Sequence, residues 1–138
     1  MTQILDYHNS YSYPIDYRPP IGRGVIVIAS LYRGYTDTGE YTDVARNLQV
    51  ARDILAEYWK RNAPAIALVL QWEFLGEIEA DDKDTHDQAQ AWCLEIVRHA
   101  DGVHFHYPTG MYLSRGMRLE WEEAKRLRIP IRQYEREW

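Results

Sequence analysis

The stretch VIVIASLYRG, residues 25–34, is a run of β-branched and other apolar residues that leads into a polar loop. A strand buried on both faces has this composition, because neither face needs polar side chains. A second run, AIALVL (65–70), has the same character and predicts a second buried strand. Strands of this kind occur in parallel sheets that are covered by helices on both sides. The two runs therefore indicate an α/β protein.

Segments with helical periodicity separate these strands. A helix is predicted over residues 43–61, with an apolar stripe made of Val44, Leu48, Ala51, Leu55 and Tyr58. A second helix is predicted over residues 84–99, with a stripe made of Ala89, Cys93, Ile96 and Ala100. GVHFHY (102–107), SRGMRLEWEEAKRL (114–127) and IPIRQY (129–134) predict a third strand, a third helix and a last short strand. This alternation predicts a Rossmann/flavodoxin-like three-layer sandwich whose mostly parallel sheet has roughly four or five strands.

Composition sets the broad class. The chain has 138 residues, of which 46% are hydrophobic and 27% charged, as expected for one globular domain. The net charge of -5 argues against binding to nucleic-acid polymers or membranes. Apolar runs are too short to span a bilayer, the N-terminus lacks the layout of a signal peptide, and the one cysteine fits a reducing compartment. We therefore expect a cytoplasmic protein.

The first 22 residues differ from the rest. They combine several tyrosines with Pro14, Pro19 and Pro20, and proline both fixes φ and removes a hydrogen-bond donor. This composition predicts an extended N-terminal arm over residues 1–22, followed by a single domain over residues 23–138.

Ligands of open parallel sheets bind at the carboxyl ends of the strands, which here are the loops after Ser30, Leu70 and Tyr107. In the first loop, Arg33 stands beside Gly34, a pair that suits contact with a phosphate or carboxylate. An ordinary surface arginine is the alternative. The sequence has no Walker A or G-x-G-x-x-G pattern, so the usual fingerprints of nucleoside triphosphates and dinucleotides are absent.

The loop after Tyr107 ends at Ser114, a natural helix N-cap. Backbone amides at a helix N-terminus attract anions, so Ser114, Arg115 and Gly116 form a candidate anion site; a cap that serves its own helix is the alternative. Glu120 follows roughly one and two-thirds turns later and is expected to face the strand ends. A solvated glutamate or a salt-bridge partner is the alternative reading.

The neighbours of Glu120 divide into two groups. Trp121 and Ala124 bracket it on the apolar stripe, whereas Glu122 and Glu123 are expected to point to solvent. This spacing distinguishes Glu120 from the other acids of its helix.

Metal binding is weakly indicated. His104 and His106 alternate along one strand and so face the same side of the sheet, either as two metal ligands or as buried, hydrogen-bonded histidines. We favour the second reading because no third ligand is placed with them. The acidic residues 81–87 lack calcium-loop spacing, and Cys93 falls on an apolar stripe. We therefore expect no metal and no cofactor.

Three segments resemble one family. VIVIASLYRG, ARNLQVARDILAEYW (45–59) and ADGVHFHYPTGMYLSRGMRLEWEEAKRLRIPI (100–131) are similar to the nucleoside 2-deoxyribosyltransferase-like superfamily, especially to its small phage and bacterial members related to nucleoside 5′-monophosphate N-glycosidases. The resemblance covers about residues 23–132. Its most specific element is the pattern S-x-G-x-x-x-E-x-x-x-A that begins at Ser114.

The resemblance implies roles for particular residues. Glu120 matches the nucleophile that attacks the anomeric carbon, and Asp87 is the nearest candidate for the family's second acid. The implied substrate-binding residues are Ser30, Tyr32, Arg33, Gly34, Asn47, Gly110, Ser114, Arg115 and Gly116. Tyr32 and Trp72 are also candidates for stacking on a base. Two departures fall on the base side: Met111 replaces a frequent tryptophan, and QWEFLGE (71–77) replaces a proline-histidine pair.

The function implied is N-glycosidic bond chemistry on a nucleoside or nucleoside 5′-monophosphate, either hydrolysis or deoxyribosyl transfer. A carboxylate can capture the positive charge that develops on the sugar, and a second acid can assist the leaving base. A non-catalytic nucleotide-binding or sensing module is the alternative, and an adaptor acting through the arm is a third reading. Relatives of this kind assemble as homodimers or larger homo-oligomers.

Overall fold

The computed structural model describes residues 15, 17, 24–33, 43–74 and 83–138. Within these ranges the elements are β1 (Ile26–Ala29), α1 (Val44–Lys60), β2 (Ala65–Ala67), α2 (Leu68–Phe74), α3 (Lys83–Arg98), β3 (Gly102–Pro108), α4 (Arg115–Arg126) and β4 (Ile131–Arg136). The predicted arm, apart from Ile15 and Tyr17, lies outside the described residues, as does Gly34. None of the helices in the described ranges is long and apolar enough to cross a membrane.

The four strands form one sheet in the order β2-β1-β3-β4, and every neighbouring pair is parallel. The prediction of an α/β sandwich with a parallel sheet is therefore confirmed. From β1 the chain moves outward to β2 on one side, and it later returns to place β3 on the other side. The boundary between β1 and β3 is thus the point at which the strand order reverses, where open α/β sheets bind their ligands.

Alternation along the central strands divides the core into two layers. Ile26 and Ile28 of β1 pack with Ile54 and Tyr58 of α1 on one face. On the opposite face, side chains of β1 and β3 pack with those of α2, α3 and α4; this larger cluster includes Val27, Ala29, Phe105, Tyr107, Trp72, Cys93, Met117 and Trp121. The site-bearing helices α3 and α4 therefore lie on the same side of the sheet.

The predicted strand over residues 65–70 is wrong in its second half. Only Ala65–Ala67 pair with β1, and the chain turns directly into α2 at Leu68. Leu68, Val69 and Trp72 are buried, which fits the spacing of a helix face better than that of a strand. A short apolar run reads equally well as a buried strand or as a buried helix, so periodicity did not separate the two.

The buried face of α1 is also rotated from the predicted stripe. Its buried residues are Asn47, Val50, Ala51, Ile54 and Tyr58. Val44, Leu48 and Leu55, which were assigned to the stripe, are only partly buried. The difference arises because Asn47, a polar residue near the start of α1, lies on the buried face, where its amide is hydrogen-bonded.

A buried polar chain connects α1 to the sheet. Tyr58 Oη lies 2.7 Å from His104 Nδ1 and 2.8 Å from His106 Nε2, while Arg136 Nη1 lies 3.3 Å from His106 Nδ1. A guanidinium can only donate, so His106 Nδ1 accepts, and its Nε2–H donates to the Tyr58 hydroxyl. That hydroxyl in turn donates to His104 Nδ1. The preference for buried, hydrogen-bonded histidines is confirmed.

Glu122 and Glu123 differ in the structure. Glu122 is exposed as expected, but the Glu123 side chain is only 11% exposed. Glu123 accepts hydrogen bonds from Arg98 Nε at 2.8 Å and from Arg126 Nε at 2.6 Å. The prediction that Glu123 points to solvent is therefore wrong, because this acid joins α3 to α4 through an ion-pair network.

Candidate active site

Glu120 is the buried acid of α4. The residue is 6% exposed, and Trp121 and Ala124 beside it are buried as the apolar stripe predicts. Burial raises the pKa of the Glu120 carboxyl to about 8, because a desolvated carboxylate loses its hydration; a hydrogen bond from Gln90 acts in the opposite direction. A carboxyl perturbed in this way inside a core is a candidate for chemistry, not for surface solvation.

Two side chains of α3 face Glu120. Gln90 Nε2 donates to Glu120 Oε2 at 3.3 Å. The buried thiol of Cys93 has a pKa raised to about 12, mainly by burial and secondly by the nearby Glu120 carboxyl. The thiol is therefore neutral at physiological pH, and it lies near both Glu120 and Trp72.

Aromatic residues continue the site toward the carboxyl end of β1. The Trp72 indole hydrogen-bonds the Cys93 thiol. Tyr32, just past β1, stacks on Trp72 with ring centroids 5.3 Å apart, and His86 of α3 meets Trp72 edge-on at 4.9 Å. Trp72 is 6% exposed and already covered, whereas Tyr32 is only partly buried. Of the two predicted stacking residues, Tyr32 is thus the one with a surface open to a ligand.

Asn47 holds the loop that carries Tyr32. Its Nδ2 donates to the Tyr32 backbone carbonyl at 2.9 Å, and its Oδ1 accepts from Trp138 Nε1 at 2.7 Å. Asn47 is 0% exposed. The structure therefore places this predicted substrate-binding residue beneath the loop, where it orders Tyr32 from below.

Ser30 lies at the end of β1 and is 4% exposed. Within the described part of the chain, its hydroxyl oxygen has no hydrogen-bond partner. A buried hydroxyl without a partner is costly, and a polar ligand group at the strand ends would satisfy it. The role of Ser30 in substrate binding stays a prediction.

The start of α4 matches its prediction. Ser114 has extended backbone angles and its Oγ accepts from Met117 N at 3.3 Å, so it is the N-cap. Arg115 is exposed and Gly116 partly buried directly after it. Gly110 has a φ of 84° in the turn after β3, a conformation that favours glycine. Helix dipole and arginine together leave this corner positive.

Asp87 does not share the surroundings of Glu120. Its side chain is 58% exposed, and its carboxylate lies 3.9 Å from His86 Nδ1.

Arg33 in the first loop is exposed as well. Within the described ranges, no group of three metal-binding side chains comes together.

Two contributors were missed by reasoning from the sequence. Gln90 of α3 donates a hydrogen bond to Glu120, and Trp138 donates one to the amide oxygen of Asn47. Gln90 follows Asp87 by one turn of the same helix, so helical spacing from Asp87 was a signal that pointed to it. Nothing in the local sequence around Trp138 indicated its contact.

Together these observations define an α/β protein of flavodoxin-like topology with a buried carboxyl on α4 and an aromatic cluster past the end of β1. The chain belongs to the family described as a domain of unknown function, DUF7768, whose model matches residues 24–134. Comparison with curated proteins gives no match, and neither does comparison with solved structures.

Proposed function

We propose that the protein breaks the N-glycosidic bond of a nucleoside or nucleoside 5′-monophosphate, with Glu120 as the nucleophile. The observation that carries this proposal is the burial of Glu120, which accepts a hydrogen bond from Gln90 of α3 and lies near Cys93, whose thiol contacts Trp72 of the aromatic cluster. Its position agrees with the role that the sequence resemblance implies. The proposal includes a cytoplasmic location and a homodimeric or larger assembly.

The chemistry follows from a desolvated carboxylate. An ionised Glu120 oxygen attacks C1′ of the sugar and forms a glycosyl ester. The C1′–N bond breaks with its electron pair moving to the base nitrogen, which then takes up a proton. Water, or a second base, afterwards attacks C1′ and releases Glu120. A carboxylate in a dry site stabilises the developing positive charge on the sugar more strongly than it would in water.

The surrounding residues supply recognition. Arg33 and Arg115 are exposed cations near the strand ends and the α4 N-terminus, where a 5′-phosphate would bind. The Ser30 hydroxyl is suited to a sugar hydroxyl. Tyr32, supported from behind by Trp72, offers an aromatic face to the base.

A second function is favoured by the exposure of Asp87. An acid that is 58% exposed is surrounded by water and is poorly placed to give a proton to a leaving base in a dry site. A protein with one acid would hold a nucleotide without cleaving it. This gives the second candidate, a non-catalytic nucleotide-binding or sensing module.

One experiment separates the two. Purified protein is incubated with deoxyribonucleosides, ribonucleosides and their 5′-monophosphates, free base is measured by chromatography, and thermal shifts are recorded with the same compounds. Base release that is lost in Glu120→Gln and kept in the exposed control Glu122→Gln supports the enzyme. Thermal shifts without base release support the binding module and contradict the enzyme. If no compound produces either signal, both functions are wrong.

A further inference from the structure

The carboxamide of Gln90 spans two positions on α4 that lie one helical turn apart. Its Nε2 donates to Glu120 Oε2 at 3.3 Å. Its Oε1 lies over Gly116, at 2.9 Å from the position that a Cβ there would occupy. Because residues four apart lie on one face of a helix, a single side chain from α3 covers both.

Gly116 is explained by this contact and not by its backbone. Within the described ranges, Gly24 and Gly110 are the glycines with positive φ, and Gly116 lies inside a regular helix. Alanine is a better helix former than glycine, so the helical backbone itself does not require glycine at this position. Among the described residues beyond its own helical turn, the atoms within 4 Å of an added Cβ belong to the Gln90 amide, whose Oε1 would have to move.

A neutral donor suits Glu120 better than an acid would. Gln90 favours the ionised carboxylate, whereas a second carboxylate in its place would oppose ionisation. The other titratable neighbour, the Cys93 thiol, carries no charge at neutral pH, since burial raises its pKa to about 12. The hydrogen bond from Gln90 thus lowers the pKa of Glu120 and opposes the effect of burial.

We propose that Gln90 is a positioning residue that orients the Glu120 carboxylate, and that Gly116 is glycine so that the Gln90 amide can reach it. The effect on catalysis rests on the proposed function, but the effect on Glu120 itself does not.

The test uses Gln90→Met, which keeps the shape of the side chain and removes the amide, with Gln88→Met as the matched control on the exposed side of α3. The Glu120 carboxyl carbon is followed by NMR across pH and assigned with Glu120→Gln. We expect the Gln90→Met midpoint to rise by about one pH unit, the worth of one hydrogen bond to a charged group, and the Gln88→Met midpoint to stay unchanged. Gly116→Ala should shift the Glu120 midpoint in the same direction, because its Cβ displaces the Gln90 amide. This variant serves as the test if Gln90→Met does not fold.

Kinetics with the nucleotide panel separate this inference from the proposed function. At pH 7, Gln90→Met should lower kcat about tenfold with little change in KM, and the loss should shrink above the new midpoint. A midpoint shift in a protein that releases no base supports the role of Gln90 and contradicts the proposed function. Base release with an unshifted midpoint in both Gln90→Met and Gly116→Ala overturns the role of Gln90 and leaves the proposed function standing.

Discussion

Trp138 and Asn47 are joined by a 2.7 Å hydrogen bond from the indole Nε1 to the amide oxygen. The Nδ2 group of the same amide donates to the Tyr32 carbonyl. Asn47 therefore connects Trp138, which follows β4, to Tyr32, which follows β1. This connection passes through the interior of the protein and links the core of α1 to the candidate site.

Asn47→Leu should destabilise the protein. The substitution leaves the Tyr32 carbonyl and the Trp138 indole without their partner, which we expect to cost about 2–3 kcal/mol in the free energy of unfolding. Urea denaturation of the variant and the wild type measures this difference in the free energy of unfolding. Gln49→Leu is the control, because the exposed Gln49 donates to the exposed Asp53, and the loss of stability in this variant should stay within about 0.5 kcal/mol. Equal losses in the two variants would contradict the account.

Tyr58→Phe tests the polar chain beneath α1. Removing the hydroxyl leaves a donor of His106 and an acceptor of His104 unpaired in the core, at a cost of about 2 kcal/mol. The same change at Tyr112, which is 57% exposed, should cost less than about 0.5 kcal/mol. A stability near that of the wild type in Tyr58→Phe would show that the two histidines do not depend on this hydroxyl.

His106 should make stability depend on pH. Burial, helped by Arg136 and His104, lowers the pKa of His106 well below 6.5, so the unfolded chain binds this proton more readily than the folded one. The contribution of His106 is therefore complete above about pH 6.5 and is lost as the pH falls toward the folded pKa. Urea titrations from pH 7.5 to 5 should show a smaller loss in His106→Gln than in the wild type. His99→Gln, at a position 78% exposed, should behave as the wild type does.

Glu120 should make the stability of the protein depend on pH with the opposite sign to His106. Its folded pKa of about 8 exceeds the ordinary 4.5, so the folded protein holds the proton more tightly. Its contribution to stability is complete below pH 4.5 and is lost as the pH rises through about 8. Glu120→Gln should thus gain melting temperature over the wild type at pH 9, and less so at pH 5. If the gain is independent of pH, or if Glu122→Gln shows the same gain, the carboxyl is not desolvated.

The sequence was most informative where local chemistry decides structure. Ser114 as a cap, the place of Glu120 beside the apolar stripe, and the position of His104 and His106 on one face all follow from turn and periodicity rules. These rules depend on residues that are close together in the chain.

Features that depend on packing between helices and strands were harder to predict from the sequence. The end of β2 at Ala67 is set by α2 folding back on the sheet, and the ion pairs of Glu123 require α3 to lie beside α4. The same is true of Gln90, whose partner is distant in sequence. No local pattern encodes these contacts, because each is fixed by the relative position of two helices or of a helix and the sheet.

The most direct test of the central claim is the rate of base release from a cleaved nucleotide, measured across pH 5–9 for the wild type and Glu120→Gln. If Glu120 is the nucleophile, kcat/KM should rise with pH and level off above about 8, where the carboxyl is ionised. Glu120→Gln should lose at least about 10³-fold on the plateau above pH 8, and its rate should not rise with pH. Base release by Glu120→Gln at the wild-type rate would contradict the account.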